Sequence, residues 1–201
     1  MSIVDEISFE YWKYKVTTKL EILNEQYELV NGHNLIHSME SRVKAPESII
    51  EKLGRYGFEV SLESAVENLT DIAGIRVVTC FIDDIYELEE LILKQDDITL
   101  LTRKDYVKKP KENGYRSLHL IVSVPVFLAD RTEHVPVEIQ VRTISMDFWA
   151  SLEHLLRYKQ PKYIPEKVNF ELKHCAEIGD ALDKRMQRIY DELDKIEDIN
   201  K

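Results

Sequence analysis

Ile72-Ala-Gly-Ile-Arg-Val-Val-Thr-Cys-Phe81 is the most strand-like run of the chain. It is rich in β-branched residues, which pack well on a pleated, half-buried surface. Directly after it, residues 83–95 carry Ile85, Leu88, Leu91 and Ile92 at the spacing of one helix face. A strand followed at once by a packing helix sets the pattern for what lies on either side. Downstream, three more extended runs are expected at residues 98–103, 115–124 and 135–143, with turn chemistry at 110–114 and 129–133. An amphipathic helix is expected over 144–158. Pro161 and Pro165 interrupt the chain before a last helix to about Ile196. Upstream, Phe9, Trp12, Val16, Leu20, Leu23, Tyr27 and Val30 form one stripe of a long helix over residues 5–30, which Asn31-Gly32 ends. A short segment holding Arg42 and Lys44 leads to Pro46, well placed as the first residue of a helix that runs to Tyr56 before Gly57; 61–68 is a further short helix. The fold class is α+β: a mixed sheet of about four to five strands covered on one face by helices, with helical arms at about 5–30 and 166–198 around a core at about 35–160.

The chain has 201 residues, with 37 acidic and 27 basic side chains and a formal charge of −10. That length suits one domain with its arms. No apolar run approaches the roughly 18 residues of a membrane span. Residues 1–10 carry no basic region of a signal peptide, and Cys80 and Cys175 form no disulfide framework, so a reducing cytoplasm is the expected location. The negative total argues against a generic binder of DNA or anionic membrane, but not against a local basic site.

Four features carry chemistry. In Glu138-Ile-Gln-Val-Arg142 the polar residues take one strand face and Ile139 and Val141 the other. Tyr115, Ser117 and His119 alternate likewise with Leu118 and Leu120, and Arg76 opposes Ile75 and Val77. If these strands are neighbours, one sheet face presents Arg76, Tyr115, His119, Glu138, Gln140 and Arg142. A solvated antiparallel face would alternate in the same way, but it draws on Lys, Glu and Thr rather than this mixture. Second, Lys44, Ser48, Lys52 and Arg55 share a helical face, with Arg42 just upstream. Such a stripe can clamp several phosphates or simply be solvated and paired with Glu47 and Glu51. Third, residues 103–116 hold six basic and two acidic side chains, and within them Gly114 permits close backbone approach and Tyr115 offers a ring on which a base can stack. Fourth, Asp71 precedes one strand and Glu138 lies in another. Two carboxylates among basic groups suit magnesium-assisted phosphoryl transfer.

The blocks Arg42-x-Lys44-x3-Ser48-x3-Lys52-x2-Arg55, Asp71-Ile-Ala-Gly-Ile-Arg76, Lys104-Asp-Tyr106 with Pro110-Lys-Glu-Asn-Gly-Tyr-Arg-Ser-Leu-His119, and Val137-Glu-Ile-Gln-Val-Arg-Thr143, in this order and spacing, resemble the synthetase domain of the RelA/SpoT alarmone enzymes over about residues 35–160. The compact length is similar to that of the small alarmone synthetases, and no His-Asp hydrolase motif is present. The resemblance implies a nucleotidyltransferase-like fold and transfer of the β,γ-pyrophosphoryl group of ATP to the ribose 3′-hydroxyl of GDP or GTP, with GMP as a further acceptor. It implies that Arg42, Lys44, Ser48, Lys52, Arg55 and Arg76 hold ATP, that Asp71 and Glu138 bind Mg²⁺, and that Glu138 accepts the hydroxyl proton. Tyr115 would stack on guanine, with Lys104, Lys111, Asn113, His119, Gln140 and Asp147 on the acceptor side. It also implies a homotetramer. Two positions depart from the common pattern, Lys104 where many members have Arg, and Asp147 where some have Asn. Toxic relatives that act on adenine nucleotides or the tRNA 3′ end give the nearest competing activity, and a non-catalytic guanine-nucleotide or RNA binder is the other competing class.

Other residues invite weaker readings. His33 and His37 are four apart but flank a helix boundary, so surface positions are expected rather than a metal pair. Phe148, Trp149, Leu152, Leu155 and Leu156 read as core. Residues 166–198 hold ten acids and six bases around Leu172, Ile178, Leu182, Ile189 and Leu193, a solvated amphipathic helix whose apolar face needs cover within or between subunits.

Overall fold

The computed structural model describes residues 3–159 and 165–199. The elements run α1 Ile3–Asn31, β1 Ile36–Val43, α2 Pro46–Tyr56, α3 Leu62–Asn68, β2 Ala73–Thr79, α4 Ile82–Leu93, β3 Thr99–Asp105, β4 Leu118–Phe127, β5 Thr132–Thr143, α5 Ile144–Lys159 and α6 Glu166–Ile199. The sheet order is β1-β2-β5-β4-β3. β2 and β5 pair in parallel at the centre, and all other neighbours are antiparallel. The mixed α+β sheet expected from the sequence is therefore present. Expected Pro161 lies outside the described residues, as does the side chain of Phe9.

The β1 strand was legible only as a segment. It is an edge strand with polar residues on both faces, so it lacks the alternation that reveals a half-buried strand. α2 starts on Pro46 and stops at Gly57, whose φ of 73° and amide bonds to Gly54 and Leu53 carbonyls make a left-handed helix end. Ser61 caps α3 by accepting from the Ser64 amide at 3.1 Å. A small second core of Leu53, Ala65, Leu69 and Ile72 seats these two helices against the start of β2.

The main core explains which sheet face is free. Ile75, Val77, Leu118, Leu120, Ile139 and Val141 are buried on one face, against Trp12, Val16 and Leu20 of α1 and Ile85, Leu88 and Ile92 of α4. The odd-even alternation of the strands then sends Arg76, His119, Glu138 and Gln140 to the opposite face, which neither α1 nor α4 covers.

At the end of the sheet α6 is fastened by polar contacts. Thr143 and Ser145 hydroxyls donate to buried Asp183 at 2.6 and 2.5 Å, and Trp149 Nε1 donates to the Leu172 carbonyl at 2.7 Å. Arg116 donates to the Ala176 carbonyl at 2.7 Å and pairs with Asp180 at 3.4 Å. Gly114, at φ 90°, lies so close that an added Cβ would stand 2.6 Å from that of Ala176. The core reading of α5 holds for Trp149 but fails for Phe148, which is 67% exposed, and for Leu152, Leu155 and Leu156. With Ile178, Leu182, Met186 and Leu193 of α6 they leave apolar surface that no described part of the chain covers. His33 is not a surface residue either: it is half-buried between Asp84, at 3.2 Å, and the Tyr190 hydroxyl, at 3.1 Å, and pins α6 to α4. His37 is exposed on β1, so the two form no pair. No helix is long and apolar enough to cross a membrane among the described residues.

Candidate active site

The free sheet face forms a cleft lined by Glu40, Arg42, Asp71, Gly74, Arg76, Glu138 and Gln140. Its register follows from two strand pairings. The parallel pairing sets Gly74 beside Glu138 and Arg76 beside Gln140, and the antiparallel pairing sets His119 on the other flank of Gln140.

On the β1 flank, the Lys44 amide bonds to the Ile72 carbonyl at 2.8 Å, which holds Lys44 next to the segment that carries Asp71. Lys44 and, from α2, Lys52 both place Nζ on Asp71 Oδ2, at 2.7 and 2.6 Å. Asp71 Oδ1 is buried and has no hydrogen-bond partner among the described residues. Burial pushes the Asp71 carboxyl up, but the two ammonium groups outweigh it, so its pKa lies below the ordinary carboxylate value. The acid is therefore an anion held between two cations, with one oxygen to spare.

On the β4 flank, five side chains close a ring. His119 Nδ1 lies 2.9 Å from Glu138 Oε1, and Gln140 Nε2 donates to Glu138 Oε2 at 2.8 Å. The Tyr115 hydroxyl lies 2.8 Å from His119 Nε2. Arg142 Nη2 donates both to that hydroxyl, at 2.7 Å, and to Gln140 Oε1, at 2.9 Å. Burial raises the pKa of Glu138, but the His119 and Gln140 hydrogen bonds more than offset this, and the group stays below its usual value. Lys111 Nζ sits 4.7 Å above the Tyr106 ring and 4.9 Å above that of Tyr115. The loop itself is knit by Gly114 N to Lys111 O, Lys111 N to Tyr115 O, and Tyr115 N to Asn113 Oδ1.

Most of the residues singled out from the sequence thus converge: Arg42, Lys44, Lys52, Asp71, Arg76, Glu138 and Gln140 around the cleft, with Tyr115, His119 and Lys111 joined to it through Glu138. Lys104 is the register partner of His119 on β3, exposed. Asn113 Nδ2 reaches Glu153 at 3.3 Å. Ser48 and Arg55 stand exposed on α2, Arg55 within 3.9 Å of Glu51, outside the cleft lining. Asp147, read on the acceptor side, takes Arg142 at 3.1 Å and Arg76 at 3.5 Å and so ties the two flanks together. Sequence reading assigned no role to Glu40 or Tyr106, and it placed Arg142 on the site face without one. Glu40 was hidden by the unread edge strand and pairs with Arg76 at 3.5 Å. Tyr106 packs edge-on against His119 at 5.3 Å, and its place in the Lys104-Asp-Tyr106 block was a usable signal. Arg142 lay on the right strand face, but nothing in the pattern showed that it is buried and shared.

Among the described residues no group of three or more His, Cys, Asp or Glu side chains could by itself hold a metal ion. Two carboxylates facing a cleft among lysines and arginines are instead suited to a polyphosphate that brings its own oxygens.

The chain was compared with known proteins. The family model described as "Region found in RelA / SpoT proteins" matches residues 41–163. GTP pyrophosphokinase YwaC of Bacillus subtilis is 47% identical over 177 residues, 88% of this chain and 84% of that protein. The crystal structure of small alarmone synthetase 2 from Bacillus subtilis superposes with a TM-score of 0.85 at 44% identity, covering 92% of this chain and 96% of the other. Small alarmone synthetase 1 from the same organism, bound to its product pppGpp, also has a TM-score of 0.85, at 36% identity, and covers 92% of this chain and 94% of its own. With Arg42, Asp71 and Glu138 of three motif blocks lining one cleft, His119 of the fourth bonded to Glu138, and the family region spanning most of the chain, this protein belongs to the RelA/SpoT family.

Proposed function

We propose that this chain synthesises (p)ppGpp by transferring the β,γ-pyrophosphoryl group of ATP to the ribose 3′-hydroxyl of GDP or GTP. The observation that carries the reading is the placement of Asp71 and Glu138 in one cleft, with lysines and arginines on one flank and an aromatic, hydrogen-bonded acceptor surface on the other. Arg42, Lys44, Ser48, Lys52, Arg55 and Arg76 bind ATP; planar guanidinium groups suit both adenine and phosphate. Tyr115 stacks on guanine, and Lys104, Lys111, Asn113, His119, Gln140 and Asp147 face the acceptor nucleotide. Glu138 takes the proton of the 3′-hydroxyl, and that oxygen attacks the β-phosphorus. The bond from this phosphorus to the α,β-bridging oxygen breaks, and AMP leaves with the oxygen.

The unpartnered, buried Asp71 Oδ1 and the Glu138 carboxylate fit a hard divalent cation. These two residues would hold Mg²⁺, which neutralises polyphosphate charge when bound. With Asp71 turned to that cation, Lys44 and Lys52 would be released to pair with phosphate oxygens of ATP. The exposed apolar residues of α5 and α6 support a homotetramer in which copies of the chain cover one another. Unpaired Cys80 and Cys175 agree with a reducing cytoplasm.

Purified protein incubated with labelled ATP, Mg²⁺ and, separately, GMP, GDP, GTP, ADP or tRNA tests the reading. Label is expected on GDP and GTP, and both Asp71→Gly and Glu138→Val should abolish it while melting as the wild type does. Label only on an adenine nucleotide or on tRNA moves the acceptor. A folded Glu138→Val enzyme with normal turnover removes the assigned base.

A further inference from the structure

The ring on the β4 flank admits one arrangement of hydrogens when Glu138 is ionised and the imidazole is neutral. A carboxylate only accepts, so His119 Nδ1 and Gln140 Nε2 both donate to it. Gln140 Oε1 and the Tyr115 oxygen accept from the two hydrogens of Arg142 Nη2. Tyr115 then spends its own hydrogen on His119 Nε2, which has no other donor in the ring. The donors then run in one sense from Arg142 Nη2 around both arms to Glu138, the Tyr115 hydroxyl accepting on one side and donating on the other.

Arg142 is only 5% exposed, and its other terminal nitrogen is held by Asp147 at 3.1 Å. The guanidinium is a rigid planar fork, so the separation of Tyr115 from Gln140 is set by its geometry rather than by flexible chains. Its carbon also lies 5.2 Å from the Tyr115 ring centroid. Tyr115 and Glu138 are thereby joined along two arms, one through His119 and the other through Arg142 and Gln140.

We infer that Arg142 is a positioning residue: it sets the general base Glu138 and the stacking ring of Tyr115 in a common frame, so that a guanine nucleotide seated on Tyr115 presents its 3′-hydroxyl to Glu138. The inference rests on reading the site as the synthetase's. Misplacement of reacting groups by about 1 Å costs about 100-fold in rate, so the effect belongs in turnover and not in binding.

The test is steady-state kinetics on Tyr115→Phe, Arg142→Lys and the double variant, with melting temperatures. Tyr115→Phe keeps the stacking ring and removes only the shared hydroxyl. It should lower kcat about 10-fold while the GTP KM stays within about 2-fold. Arg142→Lys keeps the charge but loses the fork, and should lower kcat about 10- to 100-fold with the ATP KM unchanged. Because both cut the same ring, the double variant should turn over as slowly as Arg142→Lys alone. Should Arg142→Lys fail to fold, Arg142→Gln, whose amide lacks the fork, takes its place in the cycle with Tyr115→Phe, and the same non-additive result is expected. Factors that multiply, or variants that change only the melting temperature, overturn the inference while an active wild type keeps the parent reading. An inactive wild type overturns both.

Discussion

The two flanks of the cleft are built on different principles. On the β1 flank, Lys44 and Lys52 meet at one oxygen of Asp71, and the other oxygen has no partner among the described residues. On the β4 flank, Tyr115, His119, Glu138, Gln140 and Arg142 bond to one another in a closed ring. The first arrangement is ready to exchange partners when a polyphosphate and its cation arrive. The second is already in its working geometry, so it asks little reorganisation of the acceptor. On the proposed reading the contrast divides charge and shape between the two nucleotides, ammonium groups that can change partners for the donor and a hydrogen-bonded surface for the acceptor.

The largest effect expected outside the carboxylates tests that division. Lys52→Ala removes a charged hydrogen bond to phosphate, a loss of about 2 kcal/mol that corresponds to about a 30-fold rise in the ATP KM. The GTP KM should stay as it is, and equal changes in both would erase the distinction between flanks. Tyr115→Ala does the converse. Base-to-aromatic stacking gives about 1–3 kcal/mol, so the GTP KM should rise about 10-fold with ATP unaffected.

The smallest effect concerns the fastening of α6 to the end of β5 and the start of α5. Burial raises the pKa of Asp183 despite its bonds from Ser145 and Thr143. A carboxyl whose folded-state pKa is raised contributes stability below its unfolded pKa, and that contribution is lost as pH rises through the folded value. As pH rises above the ordinary aspartate value of about 4 the wild type should lose this part of its stability, and Asp183→Asn, which cannot ionise, should not. Melting curves across that range check it, and parallel profiles for both proteins would assign the pH dependence elsewhere.

The β4 flank also shows where sequence reading stops. Glu138, Gln140 and His119 were legible because strand alternation puts them on the uncovered face whatever the partners are. Arg142 sits on the same face, yet its role depends on the β4–β5 register and on the loop that returns Tyr115 to it, and neither is written in a local pattern. Glu40 was lost for a different reason, since an edge strand with polar residues on both faces and only Ile36 and Met39 against the core has no period to find. The long helices were legible in extent, through Trp12, Val16 and Leu20 or through Pro46 and Gly57, but not in environment. Phe148 and Leu182 are as apolar as core residues, and only the absence of a covering element within the described chain shows that they face outward.

The central parallel pairing has a consequence in time. β5 is the last strand in the chain, and it enters between β2 and β4, whose other partners, β1 and β3, are their near neighbours in sequence. Two antiparallel pairs can therefore form early, each with one apolar edge open, and they remain unconnected until residues 132–143 are inserted. Long-range pairings of this kind carry a loop-closure cost and are slow to form. Asp71 and Glu138 meet only at that step, so catalytic competence arises together with closure of the sheet, and a chain arrested before β5 would have the donor lysines in place and no base to work with.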